Sequence, residues 1–232
     1  TPTEALIGKN CASLVPDGAC IQMGIGALPN ALAAELVNHK NIGVHTEMFA
    51  DGILRLIRMG VVNGAVKTID KGKVVASFLL GSNDVYNFID HNPDVLMKDI
   101  KYTNDPWVIS QLDNMIAINS ATEVDLTGQI SADSIGTRIF SGTGGQLDFV
   151  KGATMAKGGK SVTALPKKRA GPSSMRNRKM AFPATKSGQK TVTSCKLSKN
   201  MPNRASLTSY WYSCLTASDV SRTRRPLWWS GS

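Results

Sequence analysis

Short apolar runs, turn residues and helical stripes follow one another along residues 1–166. Residues 4–14 carry Leu6, Ile7, Cys11 and Leu14 at helical spacing, and Pro16-Asp17-Gly18 then marks a turn. Cys20-Ile21-Gln22-Met23 predicts a short strand that Gly24-Ile25-Gly26 breaks. Pro29 and Asn30 open a predicted helix with Leu32, Leu36 and Val37 on one face. Gly43-Val44-His45-Thr46 predicts a second strand, and Asp51 is expected to cap a helix that begins at Gly52 and is striped by Ile53, Leu56 and Ile57. Val74 to Leu80 reads as one buried strand, Asn83 to Ile89 as a short helix, and Asp105-Pro106 as a helix start. Met115 to Ser120 and Val162 to Leu165 complete the predicted strands. Strands alternating with helices predict an α/β fold, an open and mostly parallel sheet with flanking helices.

In such sheets ligands bind at the carboxyl ends of the strands, which singles out three loops. Gly24-Ile25-Gly26 could present backbone N–H groups to a phosphate or to a developing oxyanion; the alternative is a plain strand-to-helix turn. A full GxGxxG is absent because Pro29 occupies the last position, which argues against a dinucleotide site. Glu47 sits at a predicted strand end in an apolar setting, either as a nucleophile or general base or as an ordinary loop acid. The loop Gly142-Thr143-Gly144-Gly145 could hold an anion on its amides or simply turn the chain. His39, His45 and His91 are scattered and suggest no triad or metal site.

Composition narrows the class. The chain has 232 residues, 42% of them hydrophobic, enough for a real core and too many for a disordered chain or a fibre. No apolar run reaches the ~18 residues of a membrane span. No basic stretch leads into an apolar one after Thr1, so the expected compartment is the cytosol or the mitochondrion, not the secretory route. Cys11, Cys20, Cys195 and Cys214 lack CxxC spacing and read as reduced thiols, with no metal expected.

The net charge of +10 changes the picture only when it is located. Residues 1–166 hold 13 Lys+Arg against 16 Asp+Glu, whereas residues 167–232 hold 14 against the single Asp219. The last 66 residues also contain 18 Ser+Thr and three of the four Trp. No nucleic-acid partner is therefore expected for residues 1–166. Residues 167–232 read as an irregular, basic Ser/Thr-rich tail, either disordered and able to bind polyanions or the product of a reading-frame shift.

Four segments in order carry a resemblance. They are Gly-Ala-Cys-Ile-Gln-Met-Gly-Ile-Gly-Ala-Leu at 18–28, Ile-Gly-Val-His-Thr-Glu-Met-Phe-Ala-Asp-Gly at 42–52, Asn-Ser-Ala-Thr-Glu-Val-Asp-Leu-Thr-Gly-Gln-Ile-Ser-Ala-Asp-Ser-Ile-Gly at 119–136, and Ser-Gly-Thr-Gly-Gly-Gln-Leu-Asp-Phe at 141–149. Together they closely resemble the acetyl-CoA hydrolase/transferase family, which includes acetate and 4-hydroxybutyrate CoA-transferases. The resemblance runs from about residue 4 to 166 and implies the second of two related α/β domains of the CoA-transferase, NagB/RpiA-like type, incomplete at its end. It implies Glu47 as the catalytic nucleophile, with Gly24, Ile25, Gly26, Gly144 and Gly145 as the oxyanion and CoA-binding loops. It further implies coenzyme A as a substrate and no permanently bound cofactor. The partners it implies are an acyl-CoA and a short-chain carboxylate, in a homo-oligomer for intact family members. Transfer and hydrolysis remain alternative outcomes of the one site.

Overall fold

The computed structural model describes residues 1–124, 129–139, 141–165 and 182–184. Helix α1 (Pro2–Ala12) starts two residues ahead of the expected span, because Thr1 and Glu4 form a reciprocal cap and Pro2 fits the first turn. Strand β1 (Cys20–Met23) is fully buried, and α2 (Ala27–Glu35) follows directly from Gly26, before the expected start at Pro29. Gly26 makes that entry possible with a φ of 104°, a conformation an L side chain resists. A 3₁₀ turn (Leu36–Asn38) leads to β2 (Gly43–Val44), shorter than expected, and a separate β3 (Met48–Phe49) follows it.

Helix α3 (Asp51–Arg58) has Ala50 at its cap position, so Asp51 is the first helical residue and not the cap. Its carboxylate instead accepts the Ser82 hydroxyl at 2.5 Å and the Ser82 N–H at 3.2 Å, and these bonds hold it below the usual carboxylate range. The apolar run 74–80 is two strands, not one: β4 (Val74–Ala76) and β5 (Phe78–Leu79) part at Ser77 and join different pairs. A continuous apolar run hides such a break, since periodicity cannot show where hydrogen-bond partners change. Next come α4 (Asn83–Ile89), β6 (Val95–Met97), α5 (Ile100–Thr103) and α6 (Pro106–Ser110), the last two capped by Asp99 and Asp105. Strand β7 (Met115–Ser120) precedes four two-residue strands: β8 (Glu123–Val124), β9 (Ile130–Ser131), β10 (Ser134–Ile135) and β11 (Arg138–Ile139). Helix α7 (Gln146–Met155), β12 (Lys160–Ala164) and β13 (Phe182–Ala184) complete the described elements.

The main sheet runs β13-β12-β7-β1-β2, parallel throughout except for β13. Two cores follow from strand alternation. Ile21, Met23, Ile116, Ile118 and Val162 face α1, α2 and α3, while Cys20, Met115 and Ala117 face Ile109, Leu112 and the α7 residues Phe149 and Ala153. The result is a helix–sheet–helix sandwich. Within the expected tail, Phe182–Ala184 pairs antiparallel along the outer edge of β12. That place suits Pro183, since an edge strand leaves one side without ladder bonds. The rest of the expected tail, with Cys195 and Cys214, lies outside the described residues.

Candidate active site

Glu47 follows the end of β2 and precedes β3, in a backbone clamped from both sides. Thr46 is buried; its N–H donates to Val75 O at 3.0 Å and its hydroxyl to Met23 O at 3.1 Å. The carbonyl of Glu47 accepts the N–H groups of Ser77 and Phe78 at 2.9 and 3.1 Å. The break between β4 and β5 thus has a use: Ser77 turns two amides onto the residue whose side chain enters the cleft.

The Glu47 side chain is half-buried, and its Oε2 accepts a hydrogen bond from Asn104 Nδ2 at 3.0 Å. Gly145 lies against the same pair, for a Cβ there would collide with Glu47 Oε2 and Asn104 Nδ2. Any side chain at 145 would displace the carboxylate, so close approach explains the glycine. Gly145 is also the cap residue of α7, whose first amides have no partner within the helix and favour negative charge.

Of the two expected glycine loops, the one carrying Gly145 is brought against the Glu47 carboxylate. Gly145 stands beside Glu47, and its neighbour Gly144 has a φ of 56° and open space before it. Gly24, Ile25 and Gly26 follow Met23, whose carbonyl accepts the Thr46 hydroxyl; open space lies before Gly24 and Gly26, and Ile25 is half exposed. Gly26 begins α2, so a second helix N-terminus opens near the strand ends.

Asn104 was not singled out in the sequence. Its one local signal is its place just before the Asp105-Pro106 helix start; its contact with Glu47 spans 57 positions. His45 was set aside as a scattered histidine and is in fact fully buried. Its Nε2 lies 2.9 Å from Thr103 O, and its ring neighbours those of Tyr102 and Phe149, at 6.1 and 6.3 Å between centroids. Burial pushes its pKa from 6.5 down to about 4. Thr103 also shares a hydroxyl hydrogen bond with Ser77. Burial pushes the Cys11 thiol up to about 11 and that of Cys20 to about 12, which keeps both protonated and poor nucleophiles. Among the described residues no group of His, Cys, Asp and Glu could hold a metal ion.

A carboxylate near a strand end, held by the Asn104 amide and approached by Gly145, defines an α/β protein with a built acidic centre. The comparisons with known proteins carry this to a family. The acetyl-CoA hydrolase/transferase C-terminal domain matches residues 81–198. A 4-hydroxybutyrate coenzyme A transferase of Clostridium kluyveri is 48% identical over 163 residues, covering 70% of this chain and 38% of that protein. A succinyl-CoA:acetate/propanoyl-CoA:succinate CoA transferase of Fasciola hepatica is 50% identical over 166 residues, 70% of this chain and 35% of that protein. The crystal structure of a 4-hydroxybutyrate CoA-transferase from Porphyromonas gingivalis superposes with a TM-score of 0.66 at 41% identity, over 76% of this chain and 42% of that one. The chain belongs to the acetyl-CoA hydrolase/transferase family. It spans about two-fifths of the length of these relatives. No helix among the described residues is long and apolar enough to cross a membrane.

Proposed function

We propose that this chain carries the catalytic portion of a CoA-transferase that moves CoA between an acyl-CoA and a small carboxylic acid through a glutamyl-CoA thioester on Glu47. The observation that supports it most is the Glu47 carboxylate itself, half-buried, fixed at one oxygen by Asn104 and approached by Gly145. One oxygen held by a donor leaves the other free to attack.

The steps balance. A Glu47 oxygen attacks the thioester carbonyl, the C–S bond breaks, and a mixed anhydride and CoA thiolate result. The thiolate attacks the glutamyl carbonyl, the anhydride C–O bond breaks, and the first carboxylate leaves a glutamyl-CoA thioester behind. The acceptor carboxylate attacks that thioester and expels the thiolate, which then attacks the new acyl carbonyl and restores Glu47. Covalent catalysis divides one exchange into steps of comparable difficulty. A carboxylate is needed because the intermediate must itself be an acyl donor.

Each step places negative charge on an oxygen. The amides of Gly24, Ile25 and Gly26 and of Gly144 and Gly145 are the proposed donors, and each well-placed donor contributes about 3–4 kcal/mol. Coenzyme A is a substrate in this scheme, and no permanent cofactor takes part. The NagB/RpiA-like assignment of the fold, the homo-oligomer and a cytoplasmic or mitochondrial setting belong to the same proposal. Water in place of the acceptor makes the site an acetyl-CoA hydrolase, an outcome supported by the family's description. A second reading, a polyanion-binding fragment, rests on the charge of residues 167–232.

Intact mass after mixing the chain with acetyl-CoA tests the leading reading. A CoA-sized adduct on the peptide holding Glu47, absent in Glu47→Ala, is the expected result. No adduct on folded wild-type protein overturns it.

A further inference from the structure

We propose that His45 is a positioning residue of this site: a buried neutral imidazole that ties the Asn104 loop and the Gly145 helix to the strand end bearing Glu47. The inference rests on the Glu47 reading and goes beyond it, to what keeps the carboxylate and its neighbours in register.

Three contacts carry it. The Nε2 of His45 lies 2.9 Å from the carbonyl oxygen of Thr103. A carbonyl only accepts, so Nε2 carries the proton and the ring is the Nε2–H tautomer. Thr103 is the residue before Asn104, and this bond therefore fixes the peptide from which the Asn104 amide reaches Glu47 Oε2. The His45 ring also neighbours Tyr102, on α5 just before Asn104, and Phe149, one helical turn beyond Gly145 on α7. Finally, His45 stands two positions before Glu47, and its own N–H donates to Ile21 O at 3.2 Å, so its backbone extends the ladder of β1 and β2. The side chain thus reaches two of the pieces around the carboxylate, and the His45 backbone belongs to the third.

The remaining nitrogen completes the case. His45 Nδ1 is buried and has no hydrogen-bond partner among the described residues. A catalytic base would aim that nitrogen at the cleft; an unpartnered buried nitrogen fits a ring kept for its other end and its ring contacts. Lys67 donates to Val44 O at 3.1 Å and to Lys73 O at 2.9 Å, securing the preceding residue without touching the ring's donor.

The test separates positioning from folding and from the Glu47 reading. His45→Gln keeps an N–H near the place of Nε2; His45→Leu keeps bulk and loses the donor. The rate of glutamyl-adduct formation is expected to stay within about threefold of wild type for Gln and to fall about a hundredfold for Leu, with little change in the acyl-CoA concentration at half-saturation. The side-chain amide resonance of Asn104, identified by its loss in Asn104→Ala, is expected to shift in Leu and not in Gln. Should His45→Leu fail to fold, His45→Asn replaces it, being too short to reach Thr103 O. Equal rates and an unmoved Asn104 resonance in the donor-less variant overturn the proposal, as do equal losses in both variants. Wild-type protein that forms no adduct counts against Glu47 as nucleophile, while the Asn104 resonance still decides the role of His45.

Discussion

Glu47 and its neighbours make sharp single-residue predictions. Removing the Asn104 donor on its carboxylate with Asn104→Ala is expected to slow adduct formation by about a hundredfold, measured by quenched-flow mass spectrometry. Gly145→Ala is expected to lower the same rate because the new methyl collides with Glu47 Oε2 and Asn104 Nδ2. A Gly145→Ala protein as fast as wild type would show that the carboxylate has room to move aside. His45 gives a pH prediction. Its folded pKa of about 4 lies below the ordinary 6.5 because burial disfavours the cation. The charges that face it are Lys67, which opposes a second proton, and Asp70, which favours one and also accepts the Tyr102 hydroxyl at 2.8 Å. The unfolded chain thus binds the proton first as pH falls. The contribution of His45 to stability is full above pH 6.5 and is lost toward pH 4, by about 3 kcal/mol in all. Urea unfolding at both pH values, in wild type and in His45→Gln, is expected to show that loss in wild type alone. Glu47 and Gly145, which the structure brings together, stood out in the sequence because a carboxylate among apolar residues and clustered glycines are local signals. Asn104 and His45 were not, since a loop amide and a lone histidine gain meaning only from partners 57 and 58 positions away.

The elements were legible where pattern and burial agree. Strand β1 and strand β7 match their expected spans, because each is an apolar run closed by turn or polar residues. The helix starts of α1 and α2 shifted because caps, not stripes, decide them: Thr1 with Glu4 in one case, the left-handed Gly26 in the other. The strand over 74–80 divided because a second partner, the Glu47 carbonyl, claims the amides of Ser77 and Phe78. The two-residue strands β3 and β8 to β11 were invisible, as two residues carry no period. Strand β7 makes the energetic prediction at this scale. Ile116 is fully buried, between Ile21 on β1 and Lys160 on β12 in register. Ile116→Ala is expected to cost about 2–5 kcal/mol and Ile116→Val about 0.5–1.5 kcal/mol. Urea unfolding with an unchanged slope checks both; a cost for Ala below that of Val would mean the sheet centre collapses around the lost atoms.

At the scale of the whole molecule, charge and pattern point to a boundary near residue 166. Before it, acids outnumber Lys+Arg by three; after it, Lys+Arg exceed acids by 13 and the strand–helix alternation ceases to be legible. The family match runs across this point to residue 198, and Phe182–Ala184 still pairs with β12. We propose, against that match and pairing, that residues 167–232 do not continue the family's reading frame, a reading that rests on composition alone. A shift of frame within a domain explains three features together: sudden basicity, excess Ser and Thr, and an abrupt loss of acids in what should be the middle of a sheet. A selected basic tail explains the charge alone, and it leaves unexplained why the change falls between one strand and the next. The two make opposite predictions. If the frame has shifted, the coding sequence read in another frame beyond codon 166 is expected to encode the apolar strand that continues the strand–helix alternation of residues 1–166. A tail selected for polyanions instead binds heparin or nucleic acid with an affinity that falls steeply as salt rises, because neutralised phosphates or sulfates release their counterions. Absence of the strand from both other frames, joined with salt-dependent binding that survives Glu47→Ala, would overturn the frame-shift proposal and make the tail a second functional part of the chain.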